Sequence, residues 1–285
     1  MRKVSDIMNT SFCTVDIMDS IHKIKSIYCQ KKKEHFVFPV KCSDKIVGII
    51  TAYELICCDP NSLVADAMKR HSITISPNES LWRAREIFNQ HKEEEYIIIA
   101  SSNVVLGVLT KTTLITETSK YTDLLTGLYR ADYIYYKASK LMEAGNEITV
   151  VFLDVNDFGK VDKDYGHIHG DIILKEISQL IGEILPSDTY LCRFAGDEFL
   201  FVSSRTKEET IKITNNLLKK VAEHTFHNNI KITLSAGISG GDRKRKRDYD
   251  VITTISDLIN LASLASTKAK KGSSSIYTLD SDSIA

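Results

Sequence analysis

The sequence predicts an α/β (α+β) protein of two domains, residues 1–118 and 119–285, in which mixed sheets are flanked by helices. Three observations predict this fold class. An internal repeat fills the first domain, strand-like and helix-like segments alternate in the second, and an acidic turn between two apolar runs predicts a β-hairpin there. At 285 residues, the chain is long enough for each domain to have its own hydrophobic core.

The composition is that of an ordinary soluble protein, with 43% apolar and 26% charged residues. Because 37 acidic side chains balance 37 basic ones, we expect neither nucleic acid nor a membrane as a partner. No apolar run approaches the roughly 20 residues of a membrane span, and the start of the chain lacks the apolar core of a signal peptide. A cytoplasmic location is therefore expected, with the six cysteines reduced and mostly buried.

The repeat in the first domain has a period of about 60 residues. Residues 4–8 return at 64–68, and Gly48-Ile49-Ile50-Thr51 returns as Gly107-Val108-Leu109-Thr110. Each repeat, about 1–59 and 60–118, is predicted to contain a short helix, a strand, an amphipathic helix, two strands and a final helix. The paired strands are assigned to 36–40 and 46–51, and then to 96–100 and 104–110. Such small units are expected to pack as a pseudo-symmetric pair.

This domain resembles a tandem pair of CBS domains, also called a Bateman module. In that family, the cleft between the repeats binds adenine nucleotides through a Gly-φ-φ-Thr-x-x-Asp signature. Thr51 and Thr110 match the threonines, but Glu54 and Thr113 stand at the aspartate positions, which weakens the grip on a ribose. The resemblance implies a regulatory adenine nucleotide at Thr51, Glu54 and Thr110. A purely structural, dimerising role is the alternative.

The connection between the domains contains neither proline nor glycine. Residues 112–123 are compatible with a helix, so we expect a continuous helix or a short stiff connector. A rigid joint of this kind would let a change in the first domain rotate the second, which is a hypothesis about coupling.

The second domain is predicted to alternate helices and strands. Its elements are assigned to 131–144, 148–153, 171–185, a hairpin around 197, 207–225, 230–239, 254–271 and 275–279. The basic run at 243–247 is interpreted as a solvated loop rather than a phosphate or partner site.

The hairpin carries two adjacent carboxylates at its tip. Apolar residues 190–194 and 199–202 flank the tip, which contains Asp197 and Glu198. Neighbouring acids repel each other, so a bound cation is one interpretation, and a solvated acidic turn is the other. A buried-type strand ends in Asp154, whose carboxylate can meet the hairpin. Asp154, Glu198 and a nucleoside triphosphate would suit an octahedral Mg²⁺ site.

Four ordered motifs resemble a GGDEF-type diguanylate cyclase over roughly residues 120–280. They are the opening motif at 123–128, the run 152–158, the segment 164–171 and the hairpin at 193–199. The resemblance implies that two GTP molecules are condensed into cyclic di-GMP and pyrophosphate, with Mg²⁺ (or Mn²⁺) as cofactor. Because one domain holds one GTP, it also implies a homodimer.

The resemblance implies particular metal and catalytic residues. Asp154, the Val155 carbonyl and Glu198 would bind the metal ion. Asp197 would be a further ligand or would help to deprotonate the attacking 3′-hydroxyl.

The resemblance also implies a set of substrate-binding residues. Backbone N–H groups around Asp157 and Phe158 would hold the phosphates, and Lys270 falls where the family has a phosphate-binding lysine. Lysine near a helix C-terminus is also favoured by the helix dipole, which is the alternative for Lys270. Asp162 and Asp171 would contact the guanine base.

Several positions depart from the family pattern. Asp162 stands where an asparagine is expected, and an ionised aspartate cannot donate to guanine O6 or N7. The other departures are Ala195 for the first glycine of the hairpin motif, Gly159 for a lysine, Ser273 near an arginine position, and Pro186 and Thr189 at the inhibitory product site. We therefore expect no feedback inhibition through that site. If position 195 needs a left-handed backbone, alanine there would cost about 1 kcal/mol.

Two functions of different classes remain open. The first is a working cyclase regulated by the CBS pair, which the retained acids Asp154, Asp171, Asp197 and Glu198 favour. The second is a catalytically degenerate GGDEF module that binds nucleotide and regulates, or a cyclase with altered base preference, which Asp162, Gly159 and Ser273 favour.

Overall fold

A computed structural model describes residues 2–30, 37–70, 72–241, 250–272 and 274–279. The chain divides into two compact units, residues 1–120 (unit 1) and 121–285 (unit 2). Three features singled out in the sequence lie outside the described residues: Phe36 at the start of a predicted strand, the basic run at 243–247, and Ser273.

Unit 1 contains two three-stranded sheets with the same strand order. The first consists of β1 (Val15–Asp16), β2 (Val37–Cys42) and β3 (Lys45–Thr51), and the second of β4 (Thr74–Ile75), β5 (Tyr96–Ser101) and β6 (Val104–Thr110). In each sheet the first pair of strands is parallel and the second antiparallel, with a register shift after Val40 and after Ile99. The two sequence repeats therefore have the same structure, and the register shift lies at the equivalent position in each.

Helices cover the sheets of unit 1. They are α1 (Ile21–Gln30), α2 (Ala52–Cys57), α3 (Val64–Ala67), α4 (Leu81–Gln90) and α5 (Lys111–Ser119), preceded by a 3-10 turn at Val4–Asp6. The apolar faces of α1 and α4 are buried as their periodicity predicts. Of the two forms expected for residues 112–123, the continuous helix is not formed, because α5 ends at Ser119 and Thr122 pairs with Tyr129.

Each repeat of unit 1 is completed by the segment that begins the other repeat. Residues 3–9 bind the second repeat, where Asn9 pairs with Val108. Residues 60–69 bind the first repeat, where Lys69 pairs with Ile49. The two repeats thus exchange segments, and we call residues 3–9 and 60–69 the crossing segments.

The glycines of the repeated Gly-φ-φ-Thr motif give the crossing segments room. A Cβ added at Gly48 would lie 2.3 Å from the carbonyl oxygen of Lys69, and one at Gly107 would lie 2.7 Å from Sδ of Met8. Close approach of the Lys69 backbone explains the glycine at 48, whereas at Gly107 the crossing segment approaches mainly through the Met8 side chain, with the Asn9 carbonyl oxygen at 3.0 Å.

Unit 2 is built on a five-stranded mixed sheet in the order β11-β10-β7-β9-β8. The strands are β7 (Thr149–Val155), β8 (Tyr190–Ala195), β9 (Glu198–Ser203), β10 (Leu234–Gly240) and β11 (Ile276–Thr278). The central strand β7 is antiparallel to both of its neighbours, and β11 is parallel to β10. The expected mixed sheet flanked by helices is confirmed.

Helices cover both faces of this sheet. They are α6 (Ala131–Glu143), α7 (Phe158–Tyr165), α8 (His167–Ile184), α9 (Lys207–Glu223) and α10 (Val251–Lys271). Val151 and Leu153 of β7 pack in a core with α8 and α9, whereas Val150 and Phe152 pack with α6 and α10. Burial on both faces explains why β7 is a continuous apolar run in the sequence.

Three predictions for unit 2 need correction. Helix α7 was not predicted, and α8 begins four positions before the predicted start, at His167. Strand β10 begins at Leu234 rather than at 230, although Ile230 and Ile232 are buried in the core beside it. Apolar alternation shows which residues are buried but not where strand pairing starts.

The cysteines are all free thiols, as expected, but most of them are not buried. Cys192 is buried, whereas Cys29, Cys42 and Cys57 are exposed. In the part of the chain that the structure describes, no helix has both the length and the apolar character needed to cross a membrane.

Candidate active site

The acidic hairpin tip is formed by the turn between β8 and β9. Ala195 pairs with Glu198 across the hairpin, and Gly196 has a φ of 43°. The left-handed position is therefore Gly196, and Ala195 is not among the described residues with positive φ. The strain considered for Ala195 does not arise, because the glycine that remains occupies the position where glycine is favoured.

Strand register brings the predicted acids together. Asp154 at the end of β7 lies directly opposite Glu198 at the start of β9, so the two side chains share one face of the sheet. The N–H of Val155 donates to the carbonyl oxygen of Asp197 at 3.3 Å. Asp154 thus meets the adjacent acids Asp197 and Glu198, which are more than 40 positions away in the sequence, at one edge of the sheet.

Crowding changes the acidity of two of these groups. Burial raises the pKa of the Glu198 carboxyl, and the charges of Asp154 and Asp197 raise it further. Burial is the largest effect on Asp197 and raises its pKa; a hydrogen bond from its own backbone opposes this, and the charge of Asp154 raises the pKa further. A cation at this edge would relieve the repulsion between the carboxylates.

Lys270 supplies a positive charge at this edge from the last turn of α10. Its Nζ donates to Oδ1 of Asp154 at 2.5 Å and to the carbonyl oxygen of Val155 at 3.3 Å. The ammonium group thus contacts two of the three oxygen groups assigned to the metal ion. The predicted phosphate-binding lysine is therefore at the site, with its charge directed at the predicted ligands.

The residues present fit a hard divalent cation. Two carboxylates and a backbone carbonyl offer the oxygen ligands that Mg²⁺ and Mn²⁺ prefer. Among the described residues no group of three or more His, Cys, Asp and Glu side chains is arranged to hold a metal, so a site here depends on the Val155 carbonyl. The contact from Lys270 shows that a cationic group reaches this carbonyl and Asp154 together.

The predicted phosphate-binding residues lie at the start of α7. Asp157 precedes the helix with a φ of 53°, and Phe158 packs partly buried against the core. The Asp157 carboxylate pairs with Lys160 at 2.9 Å, and this hydrogen bond lowers its pKa. The first N–H groups of a helix have no partner within it and attract anions, so this end of α7 can bind phosphate.

The two residues predicted to contact the base lie on neighbouring helices. Oδ2 of Asp162 on α7 lies 3.0 Å from Nδ1 of His167, at the start of α8. Its other oxygen lies against Gly170, where an added Cβ would be only 2.1 Å from Oδ1. Asp171 follows on the exposed face of α8. Sequence reasoning missed the contact between His167 and Asp162.

An ion pair fastens the opening motif to the hairpin tip. Nη1 of Arg193 donates to Oδ1 of Asp123 at 2.8 Å, and Nε donates to the carbonyl oxygen of Gly196 at 2.7 Å. Burial raises the pKa of Asp123, but hydrogen bonds from Arg193 and Thr126 outweigh it, and the net pKa is lowered. The sequence contained a signal for this contact, because Asp123 lies in the opening motif and the oppositely charged Arg193 lies in the hairpin motif.

The remaining departures from the family pattern are easily accommodated. A Cβ added at Gly159 would meet nothing within 4 Å, so packing does not require glycine there. Pro186 and Thr189 close a turn before β8, with the Thr189 hydroxyl donating to the Pro186 carbonyl oxygen at 2.6 Å. Neither residue offers a charge to a ligand at this turn.

The predicted regulatory residues of unit 1 cap helices. Thr51 begins α2, and its hydroxyl donates to the Glu54 carboxylate, which also accepts the Thr51 N–H at 2.8 Å. Thr110 begins α5 and accepts the N–H of Thr113 at 3.0 Å. Glu54 is 7% exposed, so much of its hydrogen-bonding capacity is directed to its own helix. Thr-x-x-Glu is a capping-box pattern, a signal that the sequence contained.

Comparison with known proteins agrees with the two-part organisation. A family model described as "Diguanylate cyclase, GGDEF domain" matches residues 120–274, and a "CBS domain" model matches residues 64–120. The CBS match covers the second repeat of unit 1, and the first repeat has the same strand order and register.

Two curated relatives share part of the chain. An uncharacterized membrane protein of Staphylococcus epidermidis is 28% identical over 150 residues, which are 49% of this chain and 42% of that protein. The diguanylate cyclase DosC of Escherichia coli is 24% identical over 190 residues, or 63% of this chain and 41% of DosC. The chain thus spans less than half the length of these relatives.

A solved structure shares the fold. The crystal structure of the diguanylate cyclase SiaD from Pseudomonas aeruginosa, in complex with its activator SiaC, aligns over 70% of each chain with a TM-score of 0.51 and 18% identity. The expected CBS–GGDEF fusion is confirmed by the family models, one of which spans more than half of the sequence. The chain therefore belongs to the family of proteins with a diguanylate cyclase GGDEF domain, and a CBS domain precedes that domain.

Proposed function

We propose that the protein is a diguanylate cyclase that condenses two GTP molecules into cyclic di-GMP and pyrophosphate. The observation that supports this proposal is the convergence of Asp154, Asp197 and Glu198 at one sheet edge, beside Lys270 and the start of α7. The carboxylates can bind a divalent cation, and the adjacent N-terminus of α7 can bind phosphate. This combination fits a nucleoside triphosphate that binds together with its cation.

The reaction joins the 3′-oxygen of one GTP to the α-phosphorus of the other and expels pyrophosphate. Asp154, the Val155 carbonyl and Glu198 would hold Mg²⁺ or Mn²⁺, which neutralises the charge developing on the phosphoryl oxygens when bound. Asp197 is the remaining carboxylate beside these ligands, and burial raises its pKa, so it is the group we assign to accept the hydroxyl proton. Arg193 holds the turn that presents Asp197.

Other side chains bind and orient the nucleotide. The N–H groups of Asp157 and Phe158 and the ammonium of Lys270 would contact the phosphates. Asp171 would accept hydrogen bonds from the guanine N–H groups, and Asp162, which contacts His167, would present a second acceptor. Since one domain holds one GTP, the active form is a homodimer in which two such sites face each other.

The decisive experiment identifies the reaction product. The purified full chain is incubated with GTP, with ATP or with both, in Mg²⁺ or Mn²⁺, and products are identified by mass spectrometry. We expect cyclic di-GMP from GTP alone. A product that contains adenine would revise the base preference, and no cyclic dinucleotide from any mixture would contradict the cyclase.

A second candidate is a nucleotide-binding regulatory module without turnover. It is favoured by the carboxylate at position 162, which offers an acceptor in place of the donor expected for guanine. This candidate predicts calorimetric binding of GTP by the same protein preparation that forms no product.

We also propose that unit 1 regulates unit 2 through an adenine nucleotide. The proposal is supported by the paired repeats and by Thr51 and Thr110 at equivalent helix starts. The engagement of Glu54 in the cap of α2 favours the alternative, in which unit 1 only holds two chains together.

A further inference from the structure

The predicted metal site contains a cation that belongs to the chain itself. Nζ of Lys270 lies 2.5 Å from Oδ1 of Asp154 and 3.3 Å from the carbonyl oxygen of Val155. These are two of the oxygen groups that a divalent cation would need. An ammonium group and a metal ion cannot both lie between the same two oxygens, because both carry positive charge and need the same space.

The helix that carries Lys270 cannot shift to make room. A Cβ added at Gly237 of β10 would lie 1.9 Å from the carbonyl oxygen of Ala262 and 2.2 Å from the N of Ser266, so α10 is packed directly on the sheet. Ala269, next to Lys270, is 4% exposed. The backbone before Lys270 is therefore fixed by tight packing.

The Lys270 side chain, in contrast, has freedom to move. It is 38% exposed, whereas its partner Asp154 is 18% exposed. A lysine side chain has four rotatable bonds and a compact, strongly hydrated charge, so its ammonium can leave one anion for another without disturbing the core.

We propose that Lys270 is an exchangeable counter-ion, which a divalent cation displaces from Asp154 and Val155 and which then pairs with the phosphates that arrive with the cation. This inference rests on the proposed function for the identity of the phosphates. Its consequence is cooperativity: the metal ion alone binds weakly because it competes with Lys270, and the nucleotide strengthens metal binding because it offers the displaced ammonium a new partner.

The test measures metal binding directly. Mn²⁺ is titrated into the full chain and free Mn²⁺ is followed by electron paramagnetic resonance, with and without a non-hydrolysable GTP analogue. The variants are Lys270→Met, which keeps the length of the side chain, and Lys271→Met, which removes the same charge from the adjacent, exposed position. Without nucleotide, we expect Lys270→Met to bind Mn²⁺ about tenfold or more tightly than Lys271→Met. The GTP analogue should increase the Mn²⁺ affinity of Lys270→Met less than that of Lys271→Met.

Thermal unfolding shows whether a variant has a folding defect. In EDTA, Lys270→Met is expected to melt below Lys271→Met, because three carboxylates are left without their counter-ion, and Mn²⁺ is expected to close the gap. Equal or weaker Mn²⁺ binding by Lys270→Met, or a gap that Mn²⁺ leaves open, would overturn the proposal. Product formation is measured separately, so a protein that shows the exchange without forming product would contradict the cyclase and leave the counter-ion role standing.

Discussion

At the hairpin tip, the surroundings of Asp197 and Glu198 disfavour the ionised form of each carboxyl group. Glu198 faces Asp154 and follows Asp197, and burial and these neighbours raise its pKa. A desolvated carboxylate beside another carboxylate is unfavourable for the folded chain unless a cation binds. Perturbed pKa values of this kind cluster at functional sites.

Replacing Glu198 should separate activity from stability. We expect Glu198→Gln to lower product formation about 100-fold or more, since loss of even a supporting group around a metal costs about 10–100-fold. The melting temperature should stay unchanged or rise, because the variant loses a repelling charge. Initial rates and thermal unfolding are compared with those of Glu183→Gln, an exposed position on α8. A large loss of folding in the Glu198 variant would show that the acid is structural.

Asp162 is the residue that most directly tests base recognition. We expect Asp162→Asn to bind GTP about tenfold more tightly, because an amide can donate to the acceptors of guanine and can still accept from His167. Calorimetry with GTP and with ATP measures the change. Asp164→Asn removes the same charge from an exposed position of α7 and serves as the control. An equal gain for both nucleotides, or in both variants, would point to a general charge effect.

Among the elements, the hairpin and the opening motif depend on each other. Arg193 and Asp123 are 11% and 14% exposed, and Arg193 also holds the Gly196 carbonyl. Breaking a partly buried ion pair by removing one member costs more than breaking an exposed pair, because the remaining charge is left desolvated and without its partner. The turn that presents Asp197 is thereby supported from a segment far away in the sequence.

We expect Asp123→Asn to lower the free energy of unfolding by about 2 kcal/mol at neutral pH. The pKa of Asp123 is lowered in the folded protein, so its contribution is complete above the ordinary aspartate pKa of 3.8 and is lost as pH falls through the folded value. The gap between wild type and variant should therefore be constant from pH 7 to 5 and shrink towards pH 3. Urea unfolding followed by circular dichroism measures it.

A matched control exists for this change. Asp188 pairs with Arg205 at 3.0 Å, but both side chains are well exposed. Asp188→Asn should cost less than about 1 kcal/mol, as exposed pairs do. Trp82, the single tryptophan, lies in unit 1, so its fluorescence shows whether unit 1 is unaffected. A gap for Asp123→Asn that persisted at pH 2 would contradict the role of its charge.

The elements also show how far sequence reasoning reached. Asp154 and Glu198 could be assigned to one site from the sequence, because one lies near the end of an apolar strand and the other begins an apolar strand, and two such strand ends can meet across a sheet. Helix α7 escaped because it has eight residues, one buried side chain and no side-chain cap. The contact of Lys270 with Asp154 joins residues 116 positions apart and depends on how α10 packs, which no local pattern contains.

For the whole molecule, the proposed regulation is a statement about linkage. If an adenine nucleotide at unit 1 changes the affinity of unit 2 for GTP by some factor, then GTP must change the affinity for the adenine nucleotide by the same factor. The effect can therefore be sought from either side, without knowing whether regulation activates or represses.

We expect the dissociation constant of ATP for the full chain to change about fivefold or more when a non-hydrolysable GTP analogue is present. Isothermal titration calorimetry gives both constants. CTP in place of ATP controls for binding of any triphosphate. Should ATP bind with one affinity under both conditions, the sensing role would be wrong, and the structural role of unit 1 would be favoured.

The crossing segments of unit 1 have a practical consequence for anyone who shortens or tags this chain. Cutting between the two repeats would separate each repeat from the crossing segment that completes it, so neither fragment should be made alone. A bulky fusion placed next to Asn9 would disturb the second sheet of unit 1, where Asn9 pairs with Val108. During synthesis, residues 3–9 can therefore bind their final partners only after the second repeat has been made.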